Sequence, residues 1–160
     1  MARKTTKPAE APTGLGACAC FRARTAARAI TDFYDRTLEP SGLRLTQMAL
    51  LAAIAASEGA TMQSVASDLG LDPSTMTRTL RPLEQARLVR TRASNDRRAK
   101  EIELTATGRD RLRAGHRCWQ EAQRTLSEKL GRATFDRLIG DLASVTRILS
   151  PKQTSKEVTK

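Results

Sequence analysis

Apolar side chains recur three and four residues apart at Ala26, Ile30, Phe33, Tyr34, Thr37 and Leu38, a spacing that predicts a helix stopped by Pro40 and Gly42. The next run, QMALLAAIAAS, is apolar nearly all round, so it predicts a buried second helix with Thr46 as its N-cap and Gly59 as its close. Thr61 opens a short third helix whose Met62, Val65, Ala66 and Leu69 share one face, and Gly70 supplies its stop. A fourth helix follows at once. Asp72 is a strong N-cap and Pro73 suits the first helical position, where a missing N–H costs nothing. Met76, Leu80 and Leu83 form its buried stripe, which leaves Ser74, Thr75, Thr77, Arg78 and Arg81 pointing outward. Pro82 sits inside that helix and cannot donate to the Arg78 carbonyl, so a kink or a loosened turn is expected there.

The periodicity then changes from helical to alternating. Leu88 and Val89 open one strand, Ile102 and Leu104 alternate with Glu101 and Glu103 in a second, and the polar stretch between them reads as a hairpin tip. Helical spacing returns with Leu112, Trp119, Ala122, Leu126 and Leu130, and again after Gly131 with Phe135, Leu138, Ile139, Leu142, Val145 and Leu149. Residues 1–15 and 151–160 are polar and read as disordered tails. The expected fold is mainly α with a small β-hairpin wing. It comprises one domain over residues 16–150, with a winged helix-turn-helix over about 46–105 and a helical dimerisation region from about 17–38 and 106–150.

Charge turns this architecture toward a partner. The 160 residues carry 28 Lys and Arg against 17 Asp and Glu, a formal charge of +11, which suits a polyanion, although excess charge can also serve only solubility. Residues 71–100 hold Arg78, Arg81, Arg87, Arg90, Arg92, Arg97, Arg98 and Lys100 against Asp72, Glu84 and Asp96. The excess is therefore densest around the fourth helix and the hairpin. No apolar run approaches the ~20 residues of a membrane span, and the amino-terminal stretch has no apolar core of a signal peptide, so a cytoplasmic protein without membrane contact is expected.

Enzyme chemistry finds little to work with. The sequence has one histidine, His116, no G-x-S-x-G and no G-x-x-x-x-G-K, and Gly14 and Gly16 lack the strand and third glycine of a dinucleotide loop. His116 and Cys118 are two apart on a helix, point apart and cannot chelate one metal by themselves, so His116 reads as a surface or interface residue. No cofactor, metal or catalytic residue is expected. Three cysteines, Cys18, Cys20 and Cys118, do not suit a structural disulfide framework in a chain without an export signal.

The outward face of the fourth helix has the chemistry of a DNA reader. An arginine fork such as that of Arg78 or Arg81 donates two hydrogen bonds to guanine O6 and N7, while the hydroxyls of Ser74, Thr75 and Thr77 can meet phosphates or base edges; the bland reading is a solvated face. Two strands directly after such a helix make a wing. Arg97 and Arg98 at its tip have the shape and charge to enter a minor groove, with Asp96 bracing an arginine.

The order LTQMALLAAI, DPSTMTRTLRPLEQARLVRT and NDRRAKEIELTATG resembles the multiple-antibiotic-resistance regulator (MarR) family of bacterial transcription factors over roughly residues 18–150. The D-x-R tip Asp96-Arg97-Arg98, followed by Leu104-Thr105-Ala106-Thr107-Gly108, carries most of that resemblance. It implies that Arg98 is the groove-inserted arginine and Asp96 its brace. It also implies a homodimer through helices 1, 5 and 6, for which Phe21, Ile30, Trp119, Leu126, Phe135, Leu138, Leu142 and Val145 are candidate contacts. A two-fold dimer places two reading helices on a pseudo-palindrome of double-stranded DNA. The resemblance further implies a small aromatic or phenolic effector, although no residue set marks its pocket. The expected function is a sequence-specific repressor released by a small molecule or by oxidation of Cys18 and Cys20; the alternative is a non-specific architectural DNA-binding protein without an inducer. The Cys18-Ala19-Cys20 start of helix 1 has three readings: packing against a partner subunit, a reversible disulfide, with Cys118 as another partner, or metal binding. On a regular helix the two thiols would diverge, so a bridge would require the first turn to unwind.

Overall fold

The computed structural model describes residues 15–57, 59–93 and 100–149. A 3-10 turn (Leu15–Ala17) leads into α1 (Ala19–Leu38), and a second (Glu39–Ser41) leads on to α2 (Leu45–Ala56). There follow α3 (Met62–Asp68), α4 (Pro73–Gln85), β1 (Val89–Ala93), β2 (Lys100–Leu104), α5 (Ala106–Leu130) and α6 (Arg132–Leu149). Leu15, which the sequence assigns to the tail, thus opens the first turn. The expectations for residues 1–14 and 150–160, and for the hairpin tip with Asp96, Arg97 and Arg98, lie outside the described residues. Spatially the chain divides into two units within α5, one reaching Trp119 and the other starting at Gln120.

The first unit is built on the expected stripes. Leu38, Leu50, Leu51, Val65, Met76 and Leu83 are fully buried, joined by Leu80, Leu88, Val89, Ile102 and Leu104. Each such side chain contributes about 1.5–3 kcal/mol by leaving water. Three expectations need correction. Thr46 does not cap α2: the helix starts two residues earlier, at Leu45 after the N-cap Arg44, where the Asp35 carboxylate of α1 accepts from the Leu45 N–H at 2.7 Å and Gln47 reaches back to the Arg44 N–H at 3.0 Å. A cap supplied from ten residues away competes with the local one and cannot be read from local pattern. Helix α2 buries Met48, Leu50, Leu51 and Ile54 but exposes Ala52, Ala55 and Ala56, and it closes at an extended Ser57, ahead of Gly59. Met62, placed on the buried face of α3, is exposed, because it stands in the first turn beside the Thr61 cap.

The other signals act as expected. Thr61 Oγ1 accepts from the Ser64 N–H at 3.1 Å. Gly70, in the left-handed region at φ +61, closes α3 while the Leu71 N–H reaches back to the Ala66 carbonyl at 2.8 Å. That six-residue closure aims the chain directly into α4. Helix α4 ends with the same motif: Leu88 N–H donates to the Leu83 carbonyl at 2.9 Å, but here the left-handed residue is Arg87, at φ +55. Helix α4 continues through Pro82 to Gln85. Because Pro82 falls in the last turn, only the Arg78 carbonyl loses a helical donor.

The strands pair antiparallel from Val89↔Leu104 to Ala93↔Lys100. The segment before α3 adds to the outer side of β2, where the Ile102 N–H donates to the Ala60 carbonyl at 2.7 Å and Thr61 bridges Glu101. This contact fastens the wing to the helix-turn-helix.

In the second unit Ala122 is buried, whereas α6 buries no residue. Ile139, Leu142, Val145, Ile148 and Leu149 are all exposed on it. Among the described residues no helix is long and apolar enough to cross a membrane.

Candidate nucleic-acid interface

The reading face is built at the start of α4. Asp72 is extended at the N-cap, and its Oδ1 accepts from the Ser74 and Thr75 N–H groups, both at 3.0 Å. The same carboxylate takes the Ser74 hydroxyl on Oδ1 at 2.5 Å and the Thr75 hydroxyl on Oδ2 at 2.6 Å. These hydrogen bonds hold the Asp72 carboxyl far below the usual carboxylate range, so it is ionised and can only accept. The Thr77 hydroxyl donates to the Pro73 carbonyl at 2.9 Å. Arg78 and Arg81 are exposed, as are Ser74 and Thr77, while Thr75 is half-buried. The structure thus places four of the five side chains on the exposed surface of α4 and Thr75 at its edge, with the three hydroxyls bonded to Asp72 and the Pro73 carbonyl at the start of the helix.

The wing strands modify the charge picture. In register, Arg90 stands opposite Glu103 and Arg92 opposite Glu101. Arg90 Nε meets Glu103 Oε1 at 2.6 Å. Counting basic residues only as far as Lys100 omits these two glutamates, and the strands contribute less positive field than the sequence suggests. Arg90 is thus partly neutralised, whereas Arg78 and Arg81 on α4 make no ion pair among the described residues.

A joint that sequence reasoning treated only as a motif has a clear mechanical role. Thr105 Oγ1 donates to the Arg87 carbonyl at 2.8 Å and accepts from the Gly108 N–H at 2.9 Å, while the Thr105 N–H donates to the Leu88 carbonyl at 3.0 Å. Thr105 therefore caps α5 and pins it to the chain leaving α4. A Cβ built on Gly108 would lie 1.9 Å from the Leu88 carbonyl oxygen, so only glycine lets α5 approach that closely. The Thr105 and Gly108 motif was visible in the sequence, but its partners, the Arg87 and Leu88 carbonyls, were not. At the other side of the unit Arg111 Nη1 donates to the Ser41 carbonyl at 2.9 Å, tying α5 to the α1–α2 corner.

Cys18 is half-buried at the extended N-cap of α1, at φ −69 and ψ 117, Cys20 is exposed in the first turn, Cys118 is half-buried on α5, and all three are free thiols. Cys18 therefore stands at the cap of the helix, and its carbonyl accepts the first helical hydrogen bond, from the Arg22 N–H at 3.0 Å. His116 is exposed, its ring 5.5 Å from that of Trp119. Among the described residues no group of three or more His, Cys, Asp or Glu side chains could hold a metal ion. Phe21 is exposed, and Ile30, Trp119, Leu126, Phe135 and Leu138 are half-buried. A cavity of about 420 Å³ lies between the end of α2 and the wing, lined by Ile54, Ser57, Glu101, Glu103, Arg92 and Arg109 among others.

Known proteins agree with this geometry. The sequence model of the MarR family matches residues 43–100. The transcriptional regulator MosR of M. tuberculosis, solved in complex with DNA, is 38% identical with a TM-score of 0.73, the match covering 82% of this chain and 95% of that one. The transcriptional repressor CouR, bound to a 23-mer DNA duplex, is 25% identical with a TM-score of 0.76, over 83% of this chain and 95% of its own. The S. aureus MepR–DNA complex, at 21% identity, shares the fold with a TM-score of 0.69 over 83% of this chain and 97% of that one. Among curated proteins none matches the chain. With a relative this similar along almost its whole length, and a winged helix-turn-helix in the matched region, the chain belongs to the MarR family, whose members are DNA-binding transcriptional regulators and not enzymes.

Proposed function

We propose that this chain is a homodimeric repressor that binds a pseudo-palindromic operator and leaves it in response to a small molecule or an oxidant. The observation that carries the reading is the α4 surface, where Arg78 and Arg81 stand exposed on a helix fixed at its start by Asp72. Arg78, Arg81, Ser74, Thr75 and Thr77 would face a major groove, and Arg97 and Arg98, with Asp96 as brace, the adjacent minor groove. MosR and CouR, both solved with DNA, and the repressor role of CouR support this assignment. The exposed apolar residues of α6 support a second subunit, because a monomer would leave Leu142 and Val145 in water.

For release, CouR has also been solved with p-coumaroyl-CoA. The cavity behind the wing offers Arg92 and Arg109 to a small aromatic acid in this chain. Oxidation of Cys18 and Cys20 to a disulfide is the redox route, and it is favoured by the extended backbone at Cys18 and the exposure of Cys20. The test is footprinting of the purified protein on the DNA upstream of its own gene, with and without diamide, on wild type and on Cys18→Ser and Cys20→Ser. One protected inverted repeat that is lost on oxidation only in wild type is the expected result. Uniform coating of DNA would establish an architectural protein instead. Protection unaffected by diamide would remove the redox route and leave the small molecule as effector.

A further inference from the structure

We propose that Asp72 sets the hydrogen-bond polarity of the reading face, so that Ser74 and Thr75 present only acceptor lone pairs to the DNA while Arg78 supplies the donors. This rests on α4 being the recognition helix. The chemistry follows from what each group can do. An ionised carboxylate has no proton to give, so a hydroxyl at 2.5 or 2.6 Å from it must be the donor. A hydroxyl has one proton, and once that proton is spent, two lone pairs remain. The backbone carbonyl of Pro73 commits the Thr77 hydroxyl in the same way.

The chain of contacts continues outward. Arg78 Nη2 lies 3.5 Å from Thr75 Oγ1, so the guanidinium approaches a lone pair of the threonine whose proton is fixed by Asp72. Carboxylate, hydroxyl and guanidinium thus form one directed series from the helix cap to the exposed arginine. Asp72 acts here as a positioning residue, since it touches no base itself. In the major groove, lone pairs accept from the amino groups of adenine N6 and cytosine N4 and are repelled by guanine O6 and thymine O4. The two faces therefore read opposite classes of base: the hydroxyls select amino-bearing bases and Arg78 selects guanine.

The substitution Asp72→Asn isolates this effect from capping. An amide oxygen in place of Oδ1 still accepts from the Ser74 and Thr75 N–H groups, whereas an NH2 in place of Oδ2 donates to Thr75 Oγ1 and releases its proton. The experiment selects binding sites from a randomised DNA pool with wild type, Asp72→Asn, Thr75→Val and Arg78→Ala, each checked for an unchanged far-UV spectrum and melting curve. Wild type is expected to enrich adenine or cytosine over guanine or thymine about fivefold or more at one step next to the guanine read by Arg78, the low end of base discrimination. Asp72→Asn should bring that step near parity while keeping the guanine, Thr75→Val should abolish the preference, and Arg78→Ala should lose the guanine alone. An unchanged preference in Asp72→Asn, or guanine or thymine at that step in wild type, would overturn the polarity assignment. A wild-type pool with no enriched motif would overturn the recognition-helix reading itself, and the polarity with it.

Discussion

At the scale of single residues, Gly108 and the arginines separate two kinds of requirement. Gly108 is needed by packing, because its backbone lies against the Leu88 carbonyl. Gly108→Ala is expected to cost about 3 kcal/mol, since the obstructing atom belongs to a main chain that Thr105 already holds in place and cannot rotate away. Urea denaturation followed by circular dichroism measures this, and a loss under about 1 kcal/mol would show that α5 shifts without penalty. In the proposed function Arg78 and Arg98 serve the DNA instead. Arg78→Ala should cost about 1–3 kcal/mol on the selected operator and less on random DNA, whereas Arg98→Ala should weaken both and flatten the salt dependence of binding by about one unit of slope. Titrations by fluorescence anisotropy at several salt concentrations distinguish the two, and equal losses on both DNAs would make Arg78 a phosphate contact. The outward position of Arg78 was legible from helical spacing alone. The bonding of the neighbouring hydroxyls to Asp72 was not, since it depends on where the two Asp72 oxygens point once the cap has formed.

At the scale of elements, legibility followed the range of the forces involved. Helices α3 and α4, their Thr61 and Asp72 caps and the Gly70 turn are set by residues within a few positions of one another, and they stand where the pattern puts them. The start of α2 and the entry to α5 are set by Asp35 and by the Arg87 and Leu88 carbonyls, contacts between distant parts of the chain. The close of α4 combines the two cases. The closing motif there usually places glycine in the left-handed region, but Arg87 occupies it at φ +55. A side chain in that region costs roughly 1–2 kcal/mol, partly offset on replacement by the ~0.4–1 kcal/mol of extra freedom glycine gains in the unfolded chain. Arg87→Gly is therefore expected to stabilise the protein by about 0.5–1 kcal/mol, read as a higher urea midpoint with an unchanged slope. A lower midpoint would show that the Arg87 side chain contributes more than its backbone strain removes.

At the scale of the whole molecule, the question is what covers α6. Its apolar stripe was legible in the sequence as a core-forming pattern, yet no residue of α6 is buried within one chain, with Val145 at 53% exposure and Leu149 at 75%. A row of apolar side chains left in water favours association, since each contributes about 1.5–3 kcal/mol when it is covered. A second copy is the occupant we propose because a pseudo-palindrome needs two reading helices and a two-fold axis supplies them. Replacing Leu142 and Val145 together by glutamate places two like charges on that face without disturbing a buried site, so the monomer should stay folded. Sedimentation equilibrium at micromolar protein should then give the mass of one chain in the variant and of two in wild type. Operator affinity should fall about 100-fold or more, because a lone subunit loses the effective concentration that ties the second half-site to the first. Binding to a single half-site should remain within a few-fold of that of an unlinked wild-type subunit, which tests that the reading face is intact. A variant that still sediments as two chains, or a monomer that binds the full operator as tightly as wild type, would show that α6 does not hold two copies together.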